Sequence, residues 1–255
     1  MSSPDPSRLG GLGWVRSTKG ALTRAERRHL LGRIVRGEGD YLATRIRRTT
    51  GRVPEGARNL SFDDFSPPDS KLARLAEEAA EEQSPHVKGH GYRTWAFGTA
   101  LAVLDRNRLD REAFYLAALL HDWGIDEVVP GEDFVIRSAA RAEQCVAQAG
   151  LDVAVAATVG DAIAVHCTAG ITVEDDGAEG FYVNAGAGLD LAALRVGDLP
   201  RTYYDAVHAV HPRAGATDAF RGLITAESKA NPQGRFAQLR RNGFNLLLRV
   251  NPLDR

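Results

Sequence analysis

The 255-residue chain has few cysteines, few aromatic side chains and no long apolar run. Cys145 and Cys167 are its two cysteines, too few for a disulfide scaffold or a cysteine-rich zinc site. No apolar stretch approaches the length of a membrane span, and the first residues lack the apolar core of a signal peptide. With 44% hydrophobic and 25% charged residues, the composition is that of a globular protein. We therefore expect a cytoplasmic protein that does not insert into a membrane.

Charge is distributed unevenly along the chain. The formal net charge is -1, yet residues 1–60 contain 13 Lys or Arg and 5 Asp or Glu. Much of this positive charge lies in an amphipathic helix predicted from Leu22 to about Arg36, with Thr23 as a possible N-cap. Such a helix could bind nucleic acid, an anionic membrane surface or an acidic partner, but it has no interleaved aromatic residues and no nucleic-acid motif. We expect it to pack on the acidic remainder of the chain, within one molecule or between subunits of a homo-oligomer.

Breaks in the apolar pattern divide the chain into two parts. Residues 1–68 predict a basic N-terminal extension, made of a loose tail over residues 1–20, the amphipathic helix, and a loop that ends at Pro67 and Pro68. After these prolines, segments rich in Ala and Leu have helical spacing, and alternation of period two is scarce. The pattern predicts helices at 69–83, 88–106, 111–122, 134–149, 153–166, 200–210, 214–229 and 233–247, with short strands or extended loop at 171–173 and 181–183. The predicted fold class is all-α, with one helical domain over residues 69–255.

A His-Asp pair interrupts an apolar helical segment. His121 and Asp122 end the run FYLAALLHDWG, where a purely structural helix would continue with Leu or Ala. Burying an imidazole beside a carboxylate is costly unless each is paired or binds a metal. By itself such a pair at a helix end is more often a helix cap or a surface pair. Partners occur in other predicted helices, because His90 lies 31 residues before His121 and Asp161 lies 39 residues after Asp122.

The order His, His-Asp, Asp resembles the metal-binding signature of the HD superfamily of metal-dependent hydrolases. The phrases HGYRTWAFGTALA, FYLAALLHDWGI and DAIAVHCTAGI are most similar to the cyanamide hydratase branch of that superfamily. The resemblance implies an HD-domain helical bundle whose metal ligands are His90, His121, Asp122 and Asp161. Dinuclear members carry further histidines between the doublet and the last Asp. Residues 123–160 contain none, so we expect one metal ion.

The implied ligands indicate the chemistry. Two imidazoles and two carboxylates form a mixed nitrogen and oxygen site that suits a divalent first-row ion, with Zn or Fe expected first and Mn, Co or Ni as alternatives. Such an ion lowers the pKa of bound water toward about 7. The resemblance implies that the resulting hydroxide attacks a nitrile-like carbon of a small molecule, as in cyanamide. Two alternatives stay open: phosphate-ester hydrolysis of a nucleotide, and a non-catalytic ligand sensor that keeps its metal for structure.

Two further residues are predicted to take part in catalysis together with Asp122. His166 follows Asp161 by five residues, and the Thr and Gly after it indicate that the helix ends there. It could then move a proton or contact substrate, although a histidine stabilised by the helix dipole is an equally good interpretation. Arg93 follows His90 by one helical turn and is expected to orient a metal-binding carboxylate or to bind an anion.

Substrate contacts are predicted from residues close to the motifs. Thr168 belongs to the phrase that contains His166, Trp123 follows the doublet, and His86 precedes the first ligand. The alternatives are a core position for Trp123 and a solvated loop for His86. Few basic side chains accompany the motifs, which favours a small neutral substrate over a phosphate ester.

Overall fold

The computed structural model describes residue 5 and residues 7–254, with the backbone alone for residues 36–41. Throughout this part of the chain the regular elements are helices and no strand is present, which confirms the all-α prediction. The helices are α1 (Leu12–Thr18), α2 (Arg24–Thr50), α3 (Lys71–Ala80), α4 (Pro85–Leu104), α5 (Arg111–Leu120), α6 (Val135–Ala149), α7 (Val153–Val165), α8 (Val173–Asp176), α9 (Ala178–Ala192), α10 (Arg201–Val210), α11 (Ala216–Ala230), α12 (Arg235–Arg241) and α13 (Phe244–Arg249). Short 3-10 turns occur at Glu55–Ala57, Phe62–Asp64, Trp123–Asp126 and Pro252–Asp254.

Capping side chains define many of the helix ends. The Thr23 hydroxyl accepts a hydrogen bond from the backbone N–H of Glu26, whose carboxylate accepts one from the Thr23 N–H. This capping box confirms Thr23 as an N-cap. The helix is longer than predicted and ends at Gly51, whose φ of 67° favours glycine. The carboxylates of Asp110 and Asp152 accept hydrogen bonds from backbone N–H groups in the first turns of α5 and α7. Each helix predicted from residue 69 onward corresponds to one or two helices of the structure.

The N-terminal segment is ordered, so the prediction of a loose tail is wrong over the part described. Residues 12–18 form α1, which buries Leu12, Trp14 and Val15 and packs on α6 and α7. Three apolar anchors in a single short helix are too few to give a periodic signal. Residues 1–4 and 6 of the predicted tail lie outside the described residues, and the division at residue 68 stays a prediction.

The predicted strand or extended loop at 181–183 is wrong, because these residues lie within α9. At 171–173 no strand forms, but Ile171 and Thr172 are non-helical and Thr172 has an extended backbone just before α8 begins at Val173, which agrees with the extended-loop alternative. Three glycines within α9 lower its intrinsic helix propensity. Tertiary packing outweighs this, because α9 lies along α4 in the most extensive helix pair of the molecule. A Cβ atom on Gly186 would lie 2.3 Å from the Thr94 carbonyl oxygen, and one on Gly98 would lie 2.6 Å from the Tyr182 carbonyl oxygen. The two helices can approach this closely because both positions are glycine.

The core is built from the faces of α4, α5, α7 and α9, with α3 and α6 outside them. This packing brings together the first half of α4, the ends of α5 and α7, and the last turn of α9. The C-terminal helices α12 and α13 pack on α11, and α13 also contacts α9. Among the described residues, none of the helices combines the length and the apolar character needed to cross a membrane.

Candidate metal centre

Three buried side chains from two helices meet at one point. His90 lies on α4, while His121 and Asp122 follow the last residue of α5. One ligand atom from each lies within 4.8 Å of the other two. The Nε2 atoms of His90 and His121 are 3.6 and 3.4 Å from Oδ2 of Asp122. This group could hold a metal ion.

Backbone carbonyls determine where two histidines carry their protons. Nδ1 of His121 donates to the Ala118 carbonyl at 2.8 Å, and Nδ1 of His166 donates to the Ile163 carbonyl at 2.6 Å. A carbonyl oxygen can only accept, so the proton is on Nδ1 in both rings. In the neutral form, Nε2 of each ring is therefore an acceptor.

His90 also carries its proton on Nδ1, because this atom lies 2.7 Å from a carboxylate oxygen of Asp190, which can only accept. Nε2 of His90, Nε2 of His121 and Oδ1 of Asp122 are buried and have no hydrogen-bond partner. Buried acceptors that face one another without a donor are destabilising unless a cation lies between them. Nitrogen and oxygen acceptors in this arrangement fit a divalent first-row metal ion.

The pKa shifts of the cluster also indicate that it needs a positive charge. Burial acts to raise the pKa of Asp122, but the neighbouring His121 and His166 hold it well below its usual value. Burial acts to lower the pKa of His121, yet the Asp122 carboxylate outweighs it and the pKa is raised. Burial dominates in His90 and His166 and lowers the pKa of each. Without a metal, the positive charge that Asp122 needs is thus a proton on His121, so protons and metal compete for the site.

Asp190, near the end of α9, supports the cluster from behind. Its carboxylate is fully buried and accepts hydrogen bonds from His90, from Arg93 at 2.9 and 3.0 Å, and from Arg213 at 3.1 Å. These groups hold the pKa of Asp190 well below its usual value despite burial. Sequence reasoning missed this residue because α9 was not predicted as a helix. A carboxylate within the apolar run AGLDLAAL was the available signal.

Arg93 occupies a different position from the one predicted. Its guanidinium is 1% exposed and donates to Asp190 and to the Pro212 carbonyl at 2.9 Å, rather than to Asp122 or Asp161. It therefore positions Asp190, which in turn orients His90. A contact with substrate is not compatible with this burial.

Asp161 lies outside the cluster. Its Oδ1 accepts from the Leu12 backbone N–H at 2.9 Å, and its Oδ2 accepts from Arg8 at 2.8 Å. The reason is helical geometry: α7 turns Asp161 toward the N-terminal segment, whereas His166, one residue beyond Val165 at the end of α7, faces the cluster. The side chains that converge are therefore His90, His121 and Asp122, and the predicted fourth ligand is not among them.

His166 is brought to the site as predicted. Its Nε2 lies 3.3 Å from Oδ1 of Asp122. His90 and His121 face the other carboxylate oxygen, Oδ2. The His166 and His121 rings have centroids 4.7 Å apart in an edge-to-face arrangement. The Cys167 thiol lies 3.0 Å from His166 Nε2. His166 thus stands beside the three-residue cluster with its Nε2 directed toward it.

None of the three predicted substrate contacts lines the cavity that reaches the cluster. Thr168 is fully buried, and its hydroxyl accepts from Arg235 at 3.1 Å. Trp123 donates its indole N–H to Glu82 at 3.0 Å. His86 lies outside the cavity lining as well.

The cavity has a volume of about 450 Å³ and includes the cluster and His166 in its wall. Its remaining surface is mainly apolar and comes chiefly from α9 and the C-terminal helices, with contributions from α2 and from the segments that follow α7 and α9. The larger apolar side chains of the lining are Ile34, Leu191, Leu194, Phe236, Leu239, Phe244, Leu246 and Leu247. Within the described lining, Arg33 is the only Lys or Arg.

Comparison with models of protein families gives no match, and comparison with curated proteins gives none either. The molecule is all-helical and buries a His-His-Asp cluster that could hold a metal. These two properties are compatible with an HD-like fold.

Proposed function

We propose that this protein is a metal-dependent hydrolase or hydratase of the HD superfamily, in which an activated water attacks a small substrate. The convergence of buried, unpartnered acceptor atoms from His90, His121 and Asp122 carries the proposal. An HD fold used only for packing would have no need of such a cluster, because it is destabilising without a cation.

His90, His121 and Asp122 would hold the ion, in agreement with catalytic sites that use three protein ligands and leave other positions open. Asp190 and the Ala118 carbonyl hold the two imidazole rings so that Nε2 points inward, which is how metal-binding histidines are usually oriented. When bound, a divalent ion lowers the pKa of water and supplies hydroxide near neutral pH. The donor set suits Zn or Fe, and Mn, Co or Ni are alternatives.

His166 is the residue best placed to accept and return a proton. Its Nδ1 is committed to the Ile163 carbonyl, so Nε2 is the position that changes protonation. It borders the cavity and Asp122 at once. General base action requires a neutral imidazole, and burial favours that form.

The composition of the cavity supports hydration of a neutral electrophile over hydrolysis of a nucleotide phosphate. A nucleotide carries several negative charges that need several cationic partners, and Arg33 is the one Lys or Arg in the described lining. The nitrile-like group suggested by the HD resemblance is uncharged. We therefore propose nitrile hydration as the reaction, with the carbon as electrophile and an amide as product.

Elemental analysis of the purified protein, its Asp122→Ala variant and an Asp126→Ala control tests this proposal. We expect about one metal ion per chain in the wild type and the control, and loss of the metal in Asp122→Ala. Asp126 is a fair control because its carboxylate accepts hydrogen bonds from Ser84 outside the cluster. The metal-loaded samples are then assayed for amide formation from nitriles and for phosphate release from nucleotides. Absence of metal after reconstitution would contradict the proposed function.

A further inference from the structure

The cavity beside the metal cluster is much larger than the smallest nitriles. Its volume is about 450 Å³, within the range of about 300–1,000 Å³ that is usual for small-molecule sites. Cyanamide has only three non-hydrogen atoms, so it would leave most of this space to solvent. Space of this size beside a reactive centre is typical of pockets that enclose a whole organic ligand.

The walls of the cavity indicate what kind of ligand fits. Phe236 and Leu239 come from α12, Phe244 and Leu247 from α13, and Leu191 from α9. These apolar side chains make no hydrogen bonds, and a ligand gains affinity from them only by burying apolar surface. The C-terminal helices therefore shape a site for a hydrocarbon or aromatic body.

Polar groups in the wall are few, and some are already engaged. Asn184 donates its amide N–H to the His166 carbonyl at 2.6 Å, which positions His166 rather than a ligand. The stem of Arg33 lies over Gly170, where an added Cβ would be 2.8 Å from it. The Arg33 guanidinium donates to the Ala169 carbonyl at 3.5 Å, and Asn242 donates to the Gln238 carbonyl at 2.7 Å. The buried polar atoms of the described lining that have no partner belong to His90, His121 and Asp122, so the polar part of a ligand would meet its partners at the cluster.

Small residues on α9 keep the space open. Ala187 and Gly188 both face the cavity, and a Cβ atom on Gly188 would lie 2.8 Å from the end of the Leu194 side chain. A larger side chain at Ala187 would fill volume that the apolar body needs, and one at Gly188 would displace the Leu194 side chain from the cavity wall.

We infer that this cavity selects a predominantly apolar organic molecule that carries one small nitrile-type group, and that it holds this group at the cluster of His90, His121 and Asp122. The inference rests on the proposed function, since it names the substrate class of the same site. The apolar body supplies binding energy, and the nitrile carbon supplies the electrophile. Addition of water to the C≡N bond gives the primary amide, with both hydrogens of the water retained in the product.

Binding of primary amides to the full-length, chelator-treated protein tests the ligand class without any turnover. The probes are the unbranched amides from acetamide to hexanamide, measured by calorimetry. Burial of one methylene group is worth about fourfold in affinity, so we expect Kd to fall about fourfold for each added carbon. A Kd that does not change with chain length would overturn the inference.

Two variants assign the chain-length effect to this cavity. Ala187→Leu should weaken hexanamide binding at least tenfold while leaving acetamide nearly unchanged. Ala178→Leu, at the first residue of the same helix and outside the cavity, is the matched control and should bind both amides as the wild type does. If Ala187→Leu does not fold, Leu247→Asn replaces it, because Leu247 is only partly buried. In Leu247→Asn, the increase in amide affinity should fall below about twofold per added carbon. An increase equal to that of the wild type would overturn the inference.

Turnover of the corresponding nitriles by the metal-loaded protein separates the inference from the proposed function. A kcat/KM that rises with the length of the nitrile supports both the proposed reaction and the inferred ligand class. Chain-length-dependent amide binding without any nitrile hydration supports the ligand class and overturns the proposed reaction. Hydration of cyanamide with no preference for longer nitriles supports the reaction and overturns the ligand class.

Discussion

Asp122 and Asp190 are both buried carboxylates within the same helical core, yet their surroundings are opposite. Asp190 receives hydrogen bonds from two arginines and from Nδ1 of His90. Asp122 faces Nε2 atoms of His90, His121 and His166 at 3.3 to 3.6 Å. The first carboxylate is surrounded by donors, and the second by Nε2 atoms that are acceptors as long as the imidazole rings are neutral.

The difference explains what each residue does. Asp190 has all the positive charge that it needs from the chain itself, so it acts as a positioning residue. The Asp122 site is incomplete, because its positive charge must come from a proton or from a metal ion. A buried carboxylate is thus a sign of function when its neighbours cannot donate, and a sign of structure when they can.

Removing the Asp190 carboxylate should have the largest effect on stability. Asp190→Ala leaves Arg93 buried without a carboxylate partner and leaves Arg213 with Asp254 as its remaining one, so we expect a loss of roughly 3–5 kcal/mol in the free energy of unfolding. Denaturant unfolding measures it. The control is Asp205→Ala, at an exposed position, with an expected change within about 0.5 kcal/mol. A loss below 1 kcal/mol in Asp190→Ala would show that the arginines find other partners.

Glu227 provides a third buried carboxylate, with too few donors. It is 3% exposed, one of its oxygens has no partner, and burial raises its pKa to about 7. Because the folded-state pKa lies above the unfolded value of about 4.5, ionisation destabilises the fold as pH rises from 4.5 to 7, and the full cost is present above pH 7.

Glu227→Gln should therefore stabilise the protein by roughly 3 kcal/mol at pH 8.5 and have little effect at pH 4. Asn231, which donates to the Glu227 carboxylate at 2.8 Å, can donate equally to the Gln oxygen. Denaturant unfolding at the two pH values is the measurement. An equal increase in the free energy of unfolding at pH 4 and at pH 8.5 would mean that Glu227 does not titrate in this range.

Metal addition sharpens the contrast between the two aspartates. At a free metal concentration about 100 times Kd, an ion that binds only the folded protein adds about 2.7 kcal/mol to stability. We expect this gain in the wild type with Zn²⁺ and its loss in Asp122→Asn, which keeps the size of the side chain. Thermal unfolding with metal and with chelator measures both. A gain that survives in Asp122→Asn would place the bound ion elsewhere.

Asp161→Asn should have the smallest effect. It breaks the ion pair with Arg8 and weakens the bond with the Leu12 N–H, at a cost of about 1 kcal/mol, and it should leave the metal content unchanged. Elemental analysis together with denaturant unfolding checks both expectations. Metal loss as complete as in Asp122→Asn would restore Asp161 as a ligand.

Much of this fold follows from local patterns. Asp110 and Asp152 cap helices that the apolar spacing predicts, and both helices are present. α9 was missed because its glycines weaken the local helical signal, and the benefit of those glycines appears only when α4 lies against them. α1 was missed because its few anchors gain their burial from α6 and α7.

For the site, His121 and Asp122 could be found because they break an apolar helix, and His90 because it completes a recognisable order. The sequence could not show which of Asp161 and Asp190 lies next to the site. Each is a carboxylate in a largely apolar segment, and only the direction of its helix decides whether it meets an arginine, a backbone N–H or a histidine.

The sequence by itself therefore determined the helical class, most helix ends and the polar residues placed at cost within apolar helices. Those properties depend on neighbours within one or two helical turns, which the order of residues specifies directly. Only the tertiary structure decided that Asp190 supports His90, that Asp161 holds the N-terminal segment, and that α12 and α13 close an apolar cavity over the cluster. These relations depend on how closely and in which register helices pack, and the glycine contacts between α4 and α9 show how strongly that packing can outweigh local propensity.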